Sequence, residues 1–483
     1  MVRIQSGANR HGVLPQFTYT VARVPFGVSP EQRHFVTDHQ QGDAPAIRLP
    51  KELIDRLTKP LGRFLAIEAA GGAVLLAFTV AALVLSNSPL AQPFLNVWET
   101  SIGFQVGTWE FARALRGWIN DGLMTLFFFL VSLELKRELV LGELRSPRMA
   151  ALSISAALGG MLVPALLYLM LQAGQPGQHG WGTVMATDTA FVIGCLALLG
   201  TRIPRQLRIF MLSLAIVDDV GAILVVAFGY SSQIEWSLLA LGGIGIVLVL
   251  AMALIGFRAL PIYFFMGALL WLAVDASGIH ATITGVVLGL MTPTRRWVSD
   301  DRLYAILDQV IAVPDSYEGG GGTKDRQTLR VAERAARETL SPVERLEMLL
   351  HPWVAFVVMP LFAFANAGIT LSLDNLDGAV TIAILLAFVI GKPAGILAFS
   401  WLAVRLKIAV RPPELAWLTL AGGGLLAGIG FTMALFIANL SFSENLVDSA
   451  KLGIFLASVV SALAGIALLA LATSGRTRAV PAP

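Results

Sequence analysis

The stretch IFMLSLAIVDDVGAILVVAFG, residues 209–229, is apolar for a full membrane width and carries two adjacent acids, Asp218 and Asp219, at its centre. About 20 apolar residues, at a helical rise of roughly 1.5 Å each, cross the hydrocarbon core of a bilayer. The run is continuous rather than alternating, so it predicts a spanning helix and not a strand of a membrane barrel. A carboxylate inside lipid costs several kcal/mol and is a functional candidate by default. Adjacent helical residues point about 100° apart, so the two acids face different neighbours. Close carboxylates in a low dielectric repel, and such a pair can hold a proton and exchange it for a cation. The structural alternative is a pair that caps a helix or bonds neighbouring backbone.

Outward from this stretch, further apolar runs lie near 66–87, 119–135, 149–171, 236–256, 261–274, 353–369, 380–404, 415–440 and 452–473, with weaker ones near 184–200 and 279–293. Together they predict an all-α polytopic membrane protein of about twelve spans, because only helices satisfy their own backbone in lipid. The composition agrees: of 483 residues, 56% are hydrophobic and 14% charged, where soluble domains carry about 25% charged. A formal charge of +3 leaves no nucleic-acid footprint, and a single cysteine, Cys195, excludes a disulfide framework and a cysteine-built metal site.

Basic residues alternate between the loops. Lys51, Arg56, Lys59 and Arg63 precede the first run, and Lys136, Arg137, Arg145 and Arg148 follow the second. Loops 172–182, 230–235, 275–278 and 371–379 hold no Lys or Arg, and Arg113, Arg116 and Lys451 break the pattern. Positive-inside asymmetry then places both termini in the cytoplasm. The expected organisation is a polar cytoplasmic tail over 1–50, the first part of the membrane domain over 51–294 and a cytoplasmic insertion over 295–350. The second part of the membrane domain follows over 351–473, and a short cytoplasmic tail over 474–483. Gly319 to Gly322 reads as a linker, since no Lys-Ser/Thr follows it as in a phosphate loop. Residues 96–118 alternate apolar and polar around Gly103 and Gly107, which predicts a short β-hairpin on the outer face, with an unstructured loop as the alternative.

Three further features break the apolar pattern. Asp188, in VMATDTAFVIG (184–194), stands between Thr187 and Thr189 in a weak span. A half-helix beginning there would turn its positive end to the site, and an acid would offset it; a hydrogen bond between helices is the alternative. Lys392, in AFVIGKPAGILAFS (387–400), precedes Pro393, which cannot donate a backbone hydrogen bond. A buried ammonium needs a partner, and Asp218 or Asp219 is the obvious one. The third feature, AGGGLLAGIGFTMALFIANL (421–440), holds five glycines that weaken helix propagation or allow close packing. Interrupted spans in both halves of a chain point to a transporter's midplane site. Glu134 and Glu138 share a helix face beside Lys136 and Arg137, Glu347 lies just before the ninth run, and His280 opens the eighth. His351 and Pro352 mark the start of the ninth. No HExxH, Cys/His cluster or Ser-His-Asp spacing points to an enzyme.

These motifs resemble those of the NhaA-type Na⁺/H⁺ antiporters. The resembling strings are WINDGLMTLFFFLVSLELKREL (118–139), ATDTAF (186–191), LAIVDDVGAI (214–223), SGIHAT (277–282), LHPWVAFVVMPLFAFANAGI (350–369), GKPAGI (391–396) and GIGFTMALFIANL (428–440). They stand in family order between residues 118 and 440, and the apolar runs that carry the resemblance extend from 66 to 473. The resemblance implies an inverted-repeat fold of twelve spans with two crossed, interrupted helices, here the fourth and eleventh. It makes Asp218 and Asp219 the ion- and proton-binding pair, and Asp188 and Lys392 the charges that offset the half-helix ends, with Thr187 nearby. Lys392 would pair with Asp218. Glu134, Glu138, Glu347 and His280 would belong to the cytoplasmic pH-response region or its neighbours, and 96–118 to a hairpin that joins a homodimer. Ser132 departs from the family's usual Gly, and the 1–50 tail and 295–340 insertion are longer than in compact members.

The implied function is electrogenic expulsion of Na⁺, and of Li⁺, in exchange for protons across the inner membrane of a prokaryote, serving sodium and pH homeostasis without cofactor or nucleotide. Hard carboxylate oxygens suit a dehydrated Na⁺, and protons neutralise the same oxygens. The rival readings are a cation-coupled symporter and an intramembrane aspartyl protease built on Asp188 and Asp219, for which a neighbouring Lys392 has no use.

Overall fold

The computed structural model describes residues 68–474 apart from 107–108, 141, 143–144, 231–233, 258–259, 295–299, 312–329, 334, 336–338 and 370–376. The chain divides into two compact units, Met1–Lys59 and Pro60–Pro483, and all the described residues belong to the second. The expected tail over 1–50, the Gly319–Gly322 linker and the tail beyond Ser474 lie outside the described residues.

The protein is an all-helical polytopic membrane protein with, among the described residues, one small hairpin. Helix α1 (Glu68–Ser86) turns through 115° into α2 (Ala91–Glu99). Strands β1 (Ser101–Val106) and β2 (Trp109–Ala114) follow, antiparallel from Ser101↔Ala114 to Val106↔Trp109. The hairpin is thus shorter than the expected 96–118: its flanks continue as helix, because residues beyond the strands can satisfy their own backbone. Helix α3 (Leu115–Val140) opens with a π turn over Trp118–Leu123. Then come α4 (Pro147–Leu171), a 3₁₀ helix (Pro176–Met185), α5 (Thr189–Leu198) and α6 (Arg205–Gly229). Helices α7 (Trp236–Ile255), α8 (Leu260–Ala276) and α9 (Ile283–Met291) complete the first part, and α10 (Asp300–Ile311) lies in the stretch expected as an insertion. The second holds α11 (Pro342–Asn366), α12 (Gly378–Arg405), α13 (Trp417–Ala427), α14 (Phe431–Ser441) and α15 (Glu444–Ser474).

Among the described residues seven helices are long and apolar enough to cross a membrane, or up to ten if each of three bent pairs is one span. The twelve expected runs are therefore not twelve straight helices. The run near 279–293 yields only the nine-residue α9, preceded by turns at Gly278 to Thr282, so His280 sits in a turn. Of residues 172–182, expected as a loop, 172–175 form a turn and the rest begin the 3₁₀ helix, which buries Gly177, Gly180 and Gly182 and exposes Pro176, Gln178 and His179. Its glycines were the misleading signal: they look like loop residues, yet Gly180 leaves room for the Phe442 ring, which a Cβ there would meet at 1.9 Å. Helix α11 begins eleven residues before the expected 353, at Pro342. Ser341 and Glu344 form a capping box there, with Glu344 N donating to Ser341 Oγ at 3.3 Å and Ser341 N donating to Glu344 Oε2 at 2.8 Å. His351 and Pro352 consequently lie inside the helix, and a π turn over Val354–Val358 follows the proline. A third π turn, Ala387–Gly391, precedes Lys392 and Pro393.

Burial ranks the helices. In α6, 61% of the apolar window is buried, against 11% in α7, so the helix that carries the paired acids is central and α7 is largely exposed on the outside of the bundle. Helix α4 packs closely along α12 where Gly159 and Gly395 face each other; a Cβ on Gly395 would stand 2.0 Å from Gly159 O. No side chain fits that gap without moving backbone. Gly395→Val is expected to lower the thermal unfolding temperature in detergent, by the equivalent of about 1–3 kcal/mol for an overpacked contact. An unchanged melting temperature would show that α4 and α12 separate freely.

Candidate functional site

Two of the bent helix pairs touch at their bends. The 3₁₀ helix meets α5 at 50° through the extended residues Ala186 to Asp188, and α13 meets α14 at 46° through Gly428 to Gly430. Each break exposes backbone groups that lipid cannot satisfy, and each supplies partners to the other. Asp188 N donates to Ile429 O at 2.7 Å. The Thr187 hydroxyl lies 2.6 Å from Asp218 Oδ2 and 3.1 Å from Ala427 O, at the carboxyl end of α13.

The Asp188 carboxylate caps two helices at once. Phe191 N of α5 donates to its Oδ1 at 3.2 Å, and Thr432 N of α14 donates to its Oδ2 at 3.0 Å. The Thr432 hydroxyl adds a bond to Oδ2 at 2.5 Å. Two helix amino ends, each worth about half a positive charge, thus converge on one carboxylate. Lys392 does the opposite: its Nζ donates to Met185 O at the carboxyl end of the 3₁₀ helix and lies 3.2 Å from Asp218 Oδ2. Lys392 and Asp218 are both fully buried, and the Phe388 ring lies 6.0 Å from the ammonium.

Asp218 and Asp219 differ as their helical positions require. Asp218 is held by Lys392 and Thr187, which leaves only its Oδ1 without a hydrogen bond. Asp219 is also buried with its Oδ1 unbonded, and the charged groups that act on it are Asp218, Glu134, Asp188 and Lys392. At this crossing one oxygen of each of these two carboxylates therefore stands unsatisfied, where a dehydrated cation or a proton would satisfy it.

The structure brings Thr187, Asp188, Asp218, Asp219 and Lys392 together, with Glu134 of α3 on the edge. Glu138 and Glu347 meet one turn further along α3, both on Arg137: Arg137 Nη1 donates to Glu347 Oε1, and its Nη2 lies 3.5 Å from Glu138 Oε1. His280 is not with them. Its charged neighbours are Asp275 and Arg113, and Arg113 bonds both Asp275 and Asp121 at the hairpin end of α3. Asp121 and Glu138 are 17 residues apart on one helix, or roughly 25 Å. The sequence reading missed Thr432, whose place directly after a Gly-rich break was the available signal, and Met185 O, which as a backbone group leaves none.

Residues 62–469 match the model of a family described as Na+/H+ antiporter 1. The chain belongs to that family. It is 61% identical over 430 residues to Na(+)/H(+) antiporter NhaA 2 of Acidiphilium cryptum (strain JF-5), covering 89% of this chain and 95% of that protein. It is 58% identical over 431 residues to Na(+)/H(+) antiporter NhaA of Rhizobium meliloti (strain 1021), covering 89% and 99%. Na(+)/H(+) antiporter NhaA 2 of Vibrio vulnificus (strain CMCP6) is 56% identical over 422 residues, covering 87% and 94%. The NhaA-type resemblance seen in the motifs thus extends over most of the chain.

In this antiporter the buried ammonium matters for stability. Lys392→Ala leaves Asp218 and Met185 O without their cationic partner and is expected to destabilise the protein by roughly 3 kcal/mol or more. Lys392→Arg retains a cation and should lose less. Equal melting temperatures for wild type and the Ala variant would show that Lys392 stabilises nothing.

Proposed function

We propose that the chain exchanges Na⁺ for protons at Asp218 and Asp219, one side of the membrane at a time. Na⁺/H⁺ antiport follows from the family; the assignment to these residues rests on one observation, the two unsatisfied carboxylate oxygens buried beside a compensated helix crossing. Carboxylate oxygens are hard ligands that suit Na⁺, and Li⁺ is a smaller cation of the same kind. Protons compete for the same oxygens, so a site that moves only when Na⁺ or protons occupy it makes exchange obligatory. Asp219 supplies the main ligand, since Asp218 already accepts from Thr187 and pairs with Lys392. Two carboxylates take up two protons for one Na⁺, which makes the exchange electrogenic and lets an inward proton gradient expel Na⁺.

The compensated crossing explains how such a site can move. The half-charges of the helix ends are offset by Asp188 and Lys392 rather than by the cargo, so the site is neither a permanent cation trap nor a permanent barrier. Asp188 is occupied by two helix amino ends, which argues against its use with Asp219 as a protease dyad. The reading also includes a fold of twelve spans with the 3₁₀–α5 and α13–α14 pairs as its two interrupted helices. Both termini are on the cytoplasmic side of a prokaryotic inner membrane, and the Glu138–Arg137–Glu347 cluster, with Glu134, takes part in a pH response. A two-fold pairing of the β1–β2 hairpin would satisfy its free edges and join a homodimer.

Asp219→Asn is expected to abolish Na⁺-dependent proton movement in proteoliposomes while the protein stays folded; a normal rate would sink the assignment. Deleting residues 101–114 is expected to give monomers by light scattering that still exchange, and a variant that remains dimeric would remove the hairpin from the interface.

A further inference from the structure

Exchange requires that the site be sealed from one side while open to the other, and two layers seal it toward the hairpin. The first is aromatic. Phe128 of α3, Phe362 of α11 and Phe436 of α14 are fully buried, with ring centroids 5.6 Å apart for Phe128–Phe436 and 6.3 Å for Phe362–Phe436. The second uses the same three helices and is made of amides. Asn366 Nδ2 donates to Asn120 Oδ1 at 2.7 Å, and Asn439 Nδ2 donates to Asn366 Oδ1 at 3.0 Å. Asn120 lies in the π turn that follows β2, so the amide layer is the one nearer the hairpin.

The helices that build these layers belong to two groups. Helices α4, α5, α6 and α12 to α15, with the 3₁₀ helix, carry every side chain of the candidate ion site and pack largely on one another. Helices α3, α8, α9 and α11 pack among themselves and meet the first group where α3 touches α6 and α14 and where α11 touches α14, while α1 packs on both α5 and α11. Asn439 follows Thr432 by seven residues on α14, about 10 Å, so whatever moves the Asp188–Thr432 contact moves Asn439. The aromatic layer can slide, since dispersion contacts are graded and non-directional. The Asn439–Asn366 bond cannot: it must break when α14 leaves α11.

We propose that Asn439 and Asn366 form the latch that closes the hairpin-side access to the ion site, and that breaking their bond sets the turnover of exchange. Asn120 and Phe362 O keep Asn366 oriented when the latch is open, since Asn366 Nδ2 donates to both. The amides carry no charge, so the latch adds no permanent barrier to a cation, and opening it exposes amide oxygens to the passage. The proposal rests on the reading of Asp218 and Asp219 as the exchange site.

Asn439→Leu keeps the branched outline and the number of side-chain heavy atoms and removes the bond. A net hydrogen bond shifts a two-state equilibrium by about 2- to 10-fold. The full-length variant in proteoliposomes of one orientation is therefore expected to turn over about 2- to 10-fold faster at saturating Na⁺. Its apparent Na⁺ affinity from the hairpin face should rise by a similar factor, and that from the opposite face should change less than about 2-fold, because only the hairpin-open population grows. A purely structural role would instead slow exchange and weaken affinity from both faces. Turnover that is unchanged or reduced in a variant that melts like wild type overturns the latch. If the Leu variant does not fold, Asn439→Ser, too short to reach the same amide, carries the same expectation. An active Asp219→Asn protein measured in parallel overturns the site assignment alone; an Asn439→Leu protein of wild-type turnover overturns the latch alone.

Discussion

The contact of Asp188 with two helix amino ends is the interaction on which the centre of the protein depends. A helix interrupted in a membrane leaves donors and acceptors that lipid cannot satisfy. Here each interruption answers the other. Asp188 accepts from α5 and α14, its own N–H donates to Ile429 O, and Thr187 reaches Ala427 O. Each break supplies hydrogen-bond partners that the other lacks, so the two bends stay in contact. The same crossing delivers Met185 O to Lys392 and, through Lys392, fixes Asp218 on α6.

The paired acids become unequal as a consequence. Both sit on one helix, separated by about 100° of rotation, and only one direction leads to the crossing. Asp218 turns toward it and gains an ammonium and a hydroxyl. Asp219 turns toward α3 and Glu134, where the neighbouring charges are mostly of its own sign. One carboxylate is held in place and the other is left to be satisfied by what enters, an asymmetry suited to a site that takes and releases ions.

Helix α3 relates this centre to both ends of the molecule. Its first turns are tied to the hairpin and to α8 through Arg113, Asp121 and Asp275, with Trp118 stacked on Trp271 at 6.2 Å. Its middle carries Phe128, which packs on Phe436 of α14, and then Glu134 beside Asp219. Its last turns hold Arg137 between Glu138 and Glu347. A helix anchored at both ends in this way is a fixed wall against which the site-bearing helices can move.

The sequence by itself determined that the chain is a bundle of membrane helices, because apolar length and charge content are properties of composition. It also singled out Asp188, Asp218, Asp219 and Lys392, because an ionisable group in a lipid-width apolar run stands out without knowledge of any contact. Its errors have local causes. The Gly-rich stretch within 172–182 reads as loop because glycine signals freedom when seen alone and close packing when seen beside Phe442. Pro352 reads as a helix start because the π turn that absorbs it is invisible in a string of residues. His280 shares a motif with a pH-response expectation, yet chain neighbours say nothing of which end of a bundle a turn occupies. Only the tertiary structure decided that Asp188 caps two helices, that Lys392 meets Met185 O as well as Asp218, and that three asparagines from three distant segments form one cluster. Those are contacts between segments tens to hundreds of residues apart, made by backbone groups every residue has and by amides that look ordinary singly, so their meaning exists only where the helices meet.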